Sequence, residues 1–334
     1  MAQTKQKTVT TESAAAPVVA FLDQATLGPL VTLRRPHTRH AWRAWAGTRP
    51  EQLPERLAGV TIAVTNKVRI GARELDRLPE LAGIAVAATG TDIIDLRACA
   101  ERGVVVCNIR DYAGTSVAEH VIATLLALRR NLRGYQQDIN TGAWQASGQF
   151  CFFREPVRDL AGSTLGIVGT GAIARAVARL ASGLGMRILF HARTPRAISG
   201  VETVSFERLL AEADVVSCHC ALTPETTRLF DAEAFRRMRP GSILVNTARG
   251  AVVDLEALDR ALDSGLLAGA AIDVAPVEPP PADAAIMRLA RRRNVIVTPH
   301  SAWASVEGRQ ALADQLTDVV DGLLRGEARN AVTP

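Results

Sequence analysis

Three side chains in the last third of the chain carry the groups that reduction of a 2-keto acid needs. Arg249 stands in Asn246-Thr247-Ala248-Arg249-Gly250, Glu278 in Asp273-Val274-Ala275-Pro276-Val277-Glu278-Pro279, and His300 in Thr298-Pro299-His300-Ser301. Each follows a short apolar run that reads as a strand, and doubly wound sheets gather their ligands at strand ends. A guanidinium holds a carboxylate by two charge-assisted hydrogen bonds. An imidazolium gives a proton to a developing alkoxide. A neighbouring carboxylate favours that charged form. Taken singly, each reads more readily as structural: Arg249 as a surface ion-pair partner, Glu278 as a loop charge and His300 as a polar loop residue. The combination carries the argument.

Such chemistry also needs a hydride donor, and Leu165-Gly166-Ile167-Val168-Gly169-Thr170-Gly171-Ala172-Ile173-Ala174 offers a place for one. The apolar run Thr164 to Val168 ends in a Gly-x-Gly turn and opens into an amphipathic stretch from Ala172 to Leu184. Gly169 permits the turn, Gly171 lets the backbone approach a pyrophosphate, and the small Ala174 lets helix and strand pack closely. Thr170, Ala172 and Ile173 complete the expected contacts, with the helix N-terminus facing the phosphates. An acid normally bonds the ribose 2′-hydroxyl about 20 residues later. Here no acid occurs between Met186 and Val201, and the next strand ends Phe190-His191-Ala192-Arg193-Thr194-Pro195-Arg196. Ala192 stands where the carboxylate would, and Arg193, Thr194 and Arg196 suit a 2′-phosphate. The expected cofactor is NADP(H), with NAD(H) possible; merely solvated arginines are the alternative.

These residues need a scaffold, and the periodicity supplies two. Val18–Leu22, Val60–Val64, Leu81–Ala88 and Val104–Ile109 read as strands of a small α/β unit over residues 17–112. His37–Trp45 reads as a helix, and Asp92 as the N-cap of a helix over Ile93–Arg102. Ser116–Tyr135 reads as one long helix with Val121, Leu125, Leu128 and Leu132 on one stripe. The aromatic segment Gly142–Glu155 is a candidate subunit interface. Six strands follow: Thr164–Val168, Arg187–Phe190, Val215–Cys220, Ser242–Thr247, Ala270–Val274 and Val295–Thr298. The last helix spans Trp303–Leu324, with Leu312, Leu316, Val319 and Leu323 on one face. Strands alternating with helices imply parallel sheets.

Composition narrows the class. The chain has 334 residues, 48% hydrophobic and 22% charged, with a net charge of +5. Its arginines are scattered, so a nucleic-acid partner is not expected, and a mild positive field suits anionic substrates. No apolar run reaches the ~20 residues of a membrane span. Residues 1–16 read as a disordered tail, with no secretory signal. The odd number of cysteines fits reduced thiols in the cytoplasm. Cys218-His219-Cys220 reads as strand interior, because no second ligand pair lies at zinc spacing.

The quoted motifs, with His219-Cys220-Ala221-Leu222-Thr223-Pro224-Glu225-Thr226, resemble the D-isomer-specific 2-hydroxyacid dehydrogenases. Thr65-Asn66-Lys67-Val68, Val106 to Arg110, Gln149 to Phe152 and His300 to Ser305 look most like the glycerate dehydrogenase/hydroxypyruvate reductase branch. The resemblance implies a Rossmann cofactor domain, residues 113–300, inserted in a flavodoxin-like substrate domain, residues 17–112 and 301–330. It implies a catalytic site in the cleft between them and a homodimer formed through the cofactor domain. It implies that Arg249 binds the substrate carboxylate and that His300, paired with Glu278, is the general acid. Thr89 and Gly90 would help through backbone N–H groups, with Lys67 and Trp303 as further substrate contacts. His219, Thr226, Thr247, Ala248, Asp273 and His300 would join the cofactor contacts, Asp273 at the nicotinamide carboxamide. The implied activity is reduction of hydroxypyruvate or glyoxylate to D-glycerate or glycolate. Relatives acting on phosphite or bulkier keto acids, or a nicotinamide-sensing co-regulator, are the alternatives. Two departures from the family pattern are Ala174 for the third glycine and Ala221 where proline is frequent.

Overall fold

A computed structural model describes residues 16–193 and 202–334. The stretch read as a disordered tail lies almost wholly outside the described residues, and Thr194 and Arg196 lie outside them too. The chain divides into two compact units, one running to Ala113 and resuming at Ala304–Pro334, the other Gly114–Trp303.

The first unit is built on strands β1 (Val18–Phe21), β2 (Ala41–Ala44), β3 (Ile62–Thr65), β4 (Gly83–Val86) and β5 (Val105–Asn108). All pair in parallel, in the order β2-β1-β3-β4-β5. Val19, Phe21, Ile62, Val64, Ile84 and Val86 of the inner strands are buried, as in a sheet covered on both faces. The C-terminal helix Val306–Leu324 starts later than the sequence suggests, where the Ser305 side chain accepts from Gly308 N–H at 2.9 Å. Its Leu312, Leu316, Val319 and Leu323 are buried. A Cβ on Gly83 would lie 3.2 Å from Leu323, so β4 takes a glycine where this helix crosses it.

Two expectations fail in this unit. Residues 37–45 do not form a helix; Ala41–Ala44 is the edge strand β2, in register with β1. The Trp42 ring packs edge-on against Phe21, 6.5 Å between centroids, and the Arg35 guanidinium lies 4.3 Å above it. An edge strand with one half-buried side chain leaves too short a period to read. The helix after β4 spans only Leu96–Glu101, and its N-cap is Asp95, accepting from Ala98 N–H at 2.9 Å. Asp92 and Ile93 lie in a turn closed by Ile94 N–H on the Thr91 carbonyl at 2.9 Å, and Ile94 bridges Ile70, so Asp92 is not the cap.

The second unit carries β6 (Thr164–Val168), β7 (Arg187–His191), β8 (Glu202–Thr203), β9 (Val215–Cys218), β10 (Ser242–Asn246), β11 (Leu267–Ile272) and β12 (Val295–Val297). Its parallel order, β12-β11-β10-β9-β6-β7-β8, reverses direction at β6. That is the doubly wound topology with its ligand crevice beside the first strand. The short edge strand β8 is one more than the sequence suggested. The helix expected over Ser116–Tyr135 is two helices, Gly114–Arg129 and Leu132–Asn140. Asn131 between them has φ 50°, a left-handed conformation that asparagine tolerates. The break takes Leu132 off the buried stripe and leaves it 57% exposed. Helix Leu255–Asp263 is capped by Asp254, which accepts from Glu256 and Ala257 N–H, each at 3.1 Å.

Candidate active site

In the second unit β6 runs straight into the glycine turn. Gly169 has φ 110°, and a Cβ there would lie 2.4 Å from the His219 carbonyl oxygen, so both conformation and space require glycine. Gly171 differs: its φ is ordinary and a Cβ would meet nothing within 4 Å. No neighbour among the described residues therefore demands glycine at Gly171, and the open space before it suits an approaching phosphate. Helix Ala172–Gly183 begins with no side-chain cap and no acid in its first turn. Its N–H groups and dipole are left to an anion. Arg175 was not singled out from the sequence; its guanidinium donates to the Thr170 carbonyl at 2.6 Å and places a cation beside the turn.

Around this turn, Ala192 is half-buried and Arg193 exposed. The Arg193 guanidinium faces the Glu225 carboxylate at 3.4 Å, with both side chains largely in solvent. Such a pair is worth little, so it is no barrier to a stronger anion. His219 is half-buried, its Nε2 2.8 Å from the Ser217 hydroxyl, and desolvation pushes its imidazole down to about 4, leaving it neutral at pH 7. Thr226 closes its loop by donating to the Ala221 carbonyl at 2.7 Å. The Thr247 hydroxyl is buried with no hydrogen-bond partner among the described residues. A buried orphan hydroxyl costs free energy unless something satisfies it. Together with the glycine cradle and the uncapped helix, it fits a dinucleotide laid along the strand ends.

The candidate reacting groups follow the ends of β10, β11 and β12. Buried Asn246 folds the loop after β10 back on itself, donating to the Arg249 carbonyl at 3.0 Å and accepting from Ala248 N–H at 3.0 Å. Arg249 then donates to the Ala248 carbonyl at 2.8 Å. A Cβ on Gly250 would lie 2.0 Å from the Ala275 carbonyl carbon, so the arginine loop is pressed against the loop that carries Glu278. Glu278 accepts from Ala275 N–H at 2.9 Å and faces His300 Nδ1 at 2.6 Å. A carboxylate can only accept, so Nδ1 carries the proton of that bond and Nε2 is left for chemistry. The structure thus joins Glu278 to His300 directly and brings the Arg249 loop against theirs. His300 has φ 52°, and its carbonyl accepts from the Trp303 indole at 3.0 Å. Asp273 is buried, and its carboxylate accepts from Ser301 and Ala302 N–H and from the Thr298 hydroxyl. It is therefore already a fastener of the His300 loop, with acceptor capacity left for a further donor.

The first unit holds Lys67, Thr89 and Gly90 at the ends of β3 and β4. Asp23, 3% exposed, accepts from Asn66 N–H at 2.9 Å and Lys67 N–H at 2.7 Å. Burial raises its pKa although these backbone donors oppose the shift. Asn108 donates to the Thr89 carbonyl at 2.7 Å, and the Thr89 hydroxyl to the Ile109 carbonyl at 3.0 Å. Sequence reading missed Asp23; the only signal was an acid directly after an apolar strand. Among the described residues, no group of three His, Cys, Asp or Glu side chains could hold a metal ion, and no helix is long and apolar enough to cross a membrane.

Known proteins share this architecture. The family model of the D-isomer specific 2-hydroxyacid dehydrogenase NAD binding domain matches residues 122–302. A glycerate dehydrogenase of Methylorubrum extorquens is 44% identical over 315 residues, covering 94% of this chain and 98% of its own. A hydroxypyruvate reductase of Blautia hydrogenotrophica is 32% identical over 285 residues, covering 84% and 88%. Among solved structures, a D-lactate dehydrogenase from Aquifex aeolicus, complexed with NAD and lactic acid, superposes with a TM-score of 0.79 at 27% identity, covering 93% of this chain and 96% of that one. The chain belongs to the D-isomer specific 2-hydroxyacid dehydrogenase family. It is accordingly a nicotinamide-dependent oxidoreductase.

Proposed function

We infer that the protein is an NADPH-preferring 2-keto-acid reductase that converts hydroxypyruvate to D-glycerate and glyoxylate to glycolate. The observation that carries this reading is the His300–Glu278 bond of 2.6 Å beside the loop that presents Arg249. Its likeness to glycerate dehydrogenase and hydroxypyruvate reductase points to the substrate. Arg249 grips the substrate carboxylate and turns the keto oxygen toward His300. His300 Nε2–H gives its proton to that oxygen as negative charge develops there, and Glu278 holds the imidazolium through Nδ1–H. In the reverse direction the neutral ring takes the hydroxyl proton. Lys67, Thr89 and Gly90 remain in this reading as substrate contacts of the first unit, and Trp303 as one of the second.

Reduced nicotinamide, when bound, supplies the hydride. Gly169, Thr170, Gly171, Ala172 and Ile173 would hold its pyrophosphate, Ala192 and Arg193 the adenosine ribose, and His219, Thr226, Thr247, Ala248 and Asp273 the rest. Arg193 just past the end of β7, in a stretch with no acid between Met186 and Val201, supports a 2′-phosphate. Arg193→Ala is expected to raise KM for NADPH by about 10- to 100-fold, the worth of a charge-assisted pair of hydrogen bonds, and to leave KM for NADH nearly unchanged. Steady-state kinetics with both cofactors check this, and an equal effect on both contradicts the assignment. The reading also makes the protein a homodimer. Leu132, Ile139, Trp144, Phe150, Phe153 and Val157 expose apolar surface on the second unit, with Phe150 91% exposed, as an interface would. Free cysteines are in keeping with a cytoplasmic location.

A further inference from the structure

The backbone at His300 is left-handed, a conformation that a residue with a Cβ keeps only when its surroundings impose it. Those surroundings converge on Asp273. Its carbonyl accepts from His300 N–H at 2.7 Å, and its carboxylate accepts from Ser301 N–H at 2.9 Å and Ala302 N–H at 3.0 Å. The carboxylate is aimed from behind by the Thr298 hydroxyl, 2.5 Å from Oδ1. Behind that hydroxyl stands His120 Nε2, at 3.2 Å, on the helix Gly114–Arg129.

The donors in this row can be assigned. A carboxylate only accepts, so the single Thr298 hydroxyl proton goes to Asp273. Toward His120 the hydroxyl can then only accept, so His120 must carry its proton on Nε2. Each bond in such a row polarises the next. We propose that His120 and Thr298 are positioning residues for the reaction: the row His120 Nε2–H to Thr298 Oγ–H to Asp273 fixes the carboxylate that clamps residues 300–302. That clamp keeps the His300 ring on Glu278 with Nε2 aimed at the keto oxygen. Neither His120 nor Thr298 touches substrate in this account. The proposal rests on His300 being the proton donor.

The test uses the full-length protein and four variants: Thr298→Val removes the hydroxyl at constant volume, Thr298→Ser restores it, His120→Leu removes the donor, and His120→Gln keeps an N–H near the same place. Thr298→Val is expected to lower kcat on hydroxypyruvate about tenfold, the order expected for a small misplacement of a reacting group, with KM for hydroxypyruvate and the Kd for NADPH within about twofold. Thr298→Ser should recover most of the loss, and His120→Gln more than His120→Leu. Nitrogen-15 NMR of the cofactor-free protein should find His120 in the Nε2–H form. The proposal is overturned if Thr298→Val keeps wild-type kcat, if the serine variant is as slow as the valine, or if His120 is protonated on Nδ1 alone. His300→Ala run alongside separates the two levels. Full turnover in that variant removes the proton-donor reading itself, whereas a dead His300→Ala beside an unaffected Thr298→Val removes only the positioning row.

Discussion

His300→Ala is expected to lower kcat on hydroxypyruvate by about 10²- to 10⁴-fold, the usual contribution of a positioned general acid. The developing alkoxide then has only water to protonate it. In the unmodified protein the imidazole Nδ1–H is committed to Glu278 at 2.6 Å, so the proton lost with the ring is the one on Nε2. The loss should fall mainly on kcat, because His300 acts on charge that develops only in the transition state. NADPH binding, followed by quenching of protein fluorescence, should change little by comparison. Near-normal turnover in this variant contradicts the assignment.

The second large effect is expected at Arg249. Arg249→Gln removes the charge and the two-pronged geometry together, so kcat/KM should fall by about 10²- to 10⁴-fold, two charge-assisted hydrogen bonds being involved. Unlike the loss at His300, this one should include a large rise in KM, because the carboxylate is held in the ground state as well. Arg249→Lys restores charge without the planar fork and should recover only part of the activity. Steady-state kinetics over a range of hydroxypyruvate concentrations check both. A lysine variant equal to wild type would show that charge alone suffices and that the bidentate geometry is wrong.

Much of the fold was legible because its strands are buried on both faces and its turns use residues with few alternatives. Thr164–Val168 followed by Gly169 could be read as strand and turn, and the structure shows why Gly169 leaves no choice: the His219 carbonyl occupies the space a side chain would need. Legibility failed where one local signal competed with a distant one. His37–Trp45 has the arginines and aromatics of a helix, yet its backbone is claimed by β1 and its Trp42 by Phe21, more than twenty residues earlier. Asp92 has the chemistry of a cap, but the Ile70–Ile94 bridge moves the helix start to Asp95. Asn131 breaks a periodic pattern by taking a left-handed conformation that its neighbours do not announce.

The site divides along the same line. Arg249, Glu278 and His300 could be picked out because each stands at a strand end with an unusual side chain. The groups that hold the Arg249 and His300 loops could not, since Asn246, Thr298 and His120 act through contacts that spacing does not encode. Thr298 looks like the last residue of a strand until Asp273, 25 residues away, is found 2.5 Å from its hydroxyl.

The most direct test of the central claim is the decay of reduced-nicotinamide absorbance when the purified protein is mixed with hydroxypyruvate, run with NADPH and NADH side by side. The account predicts turnover, with the larger kcat/KM for NADPH. Absence of turnover on hydroxypyruvate and glyoxylate, in protein shown to bind NADPH, would contradict it.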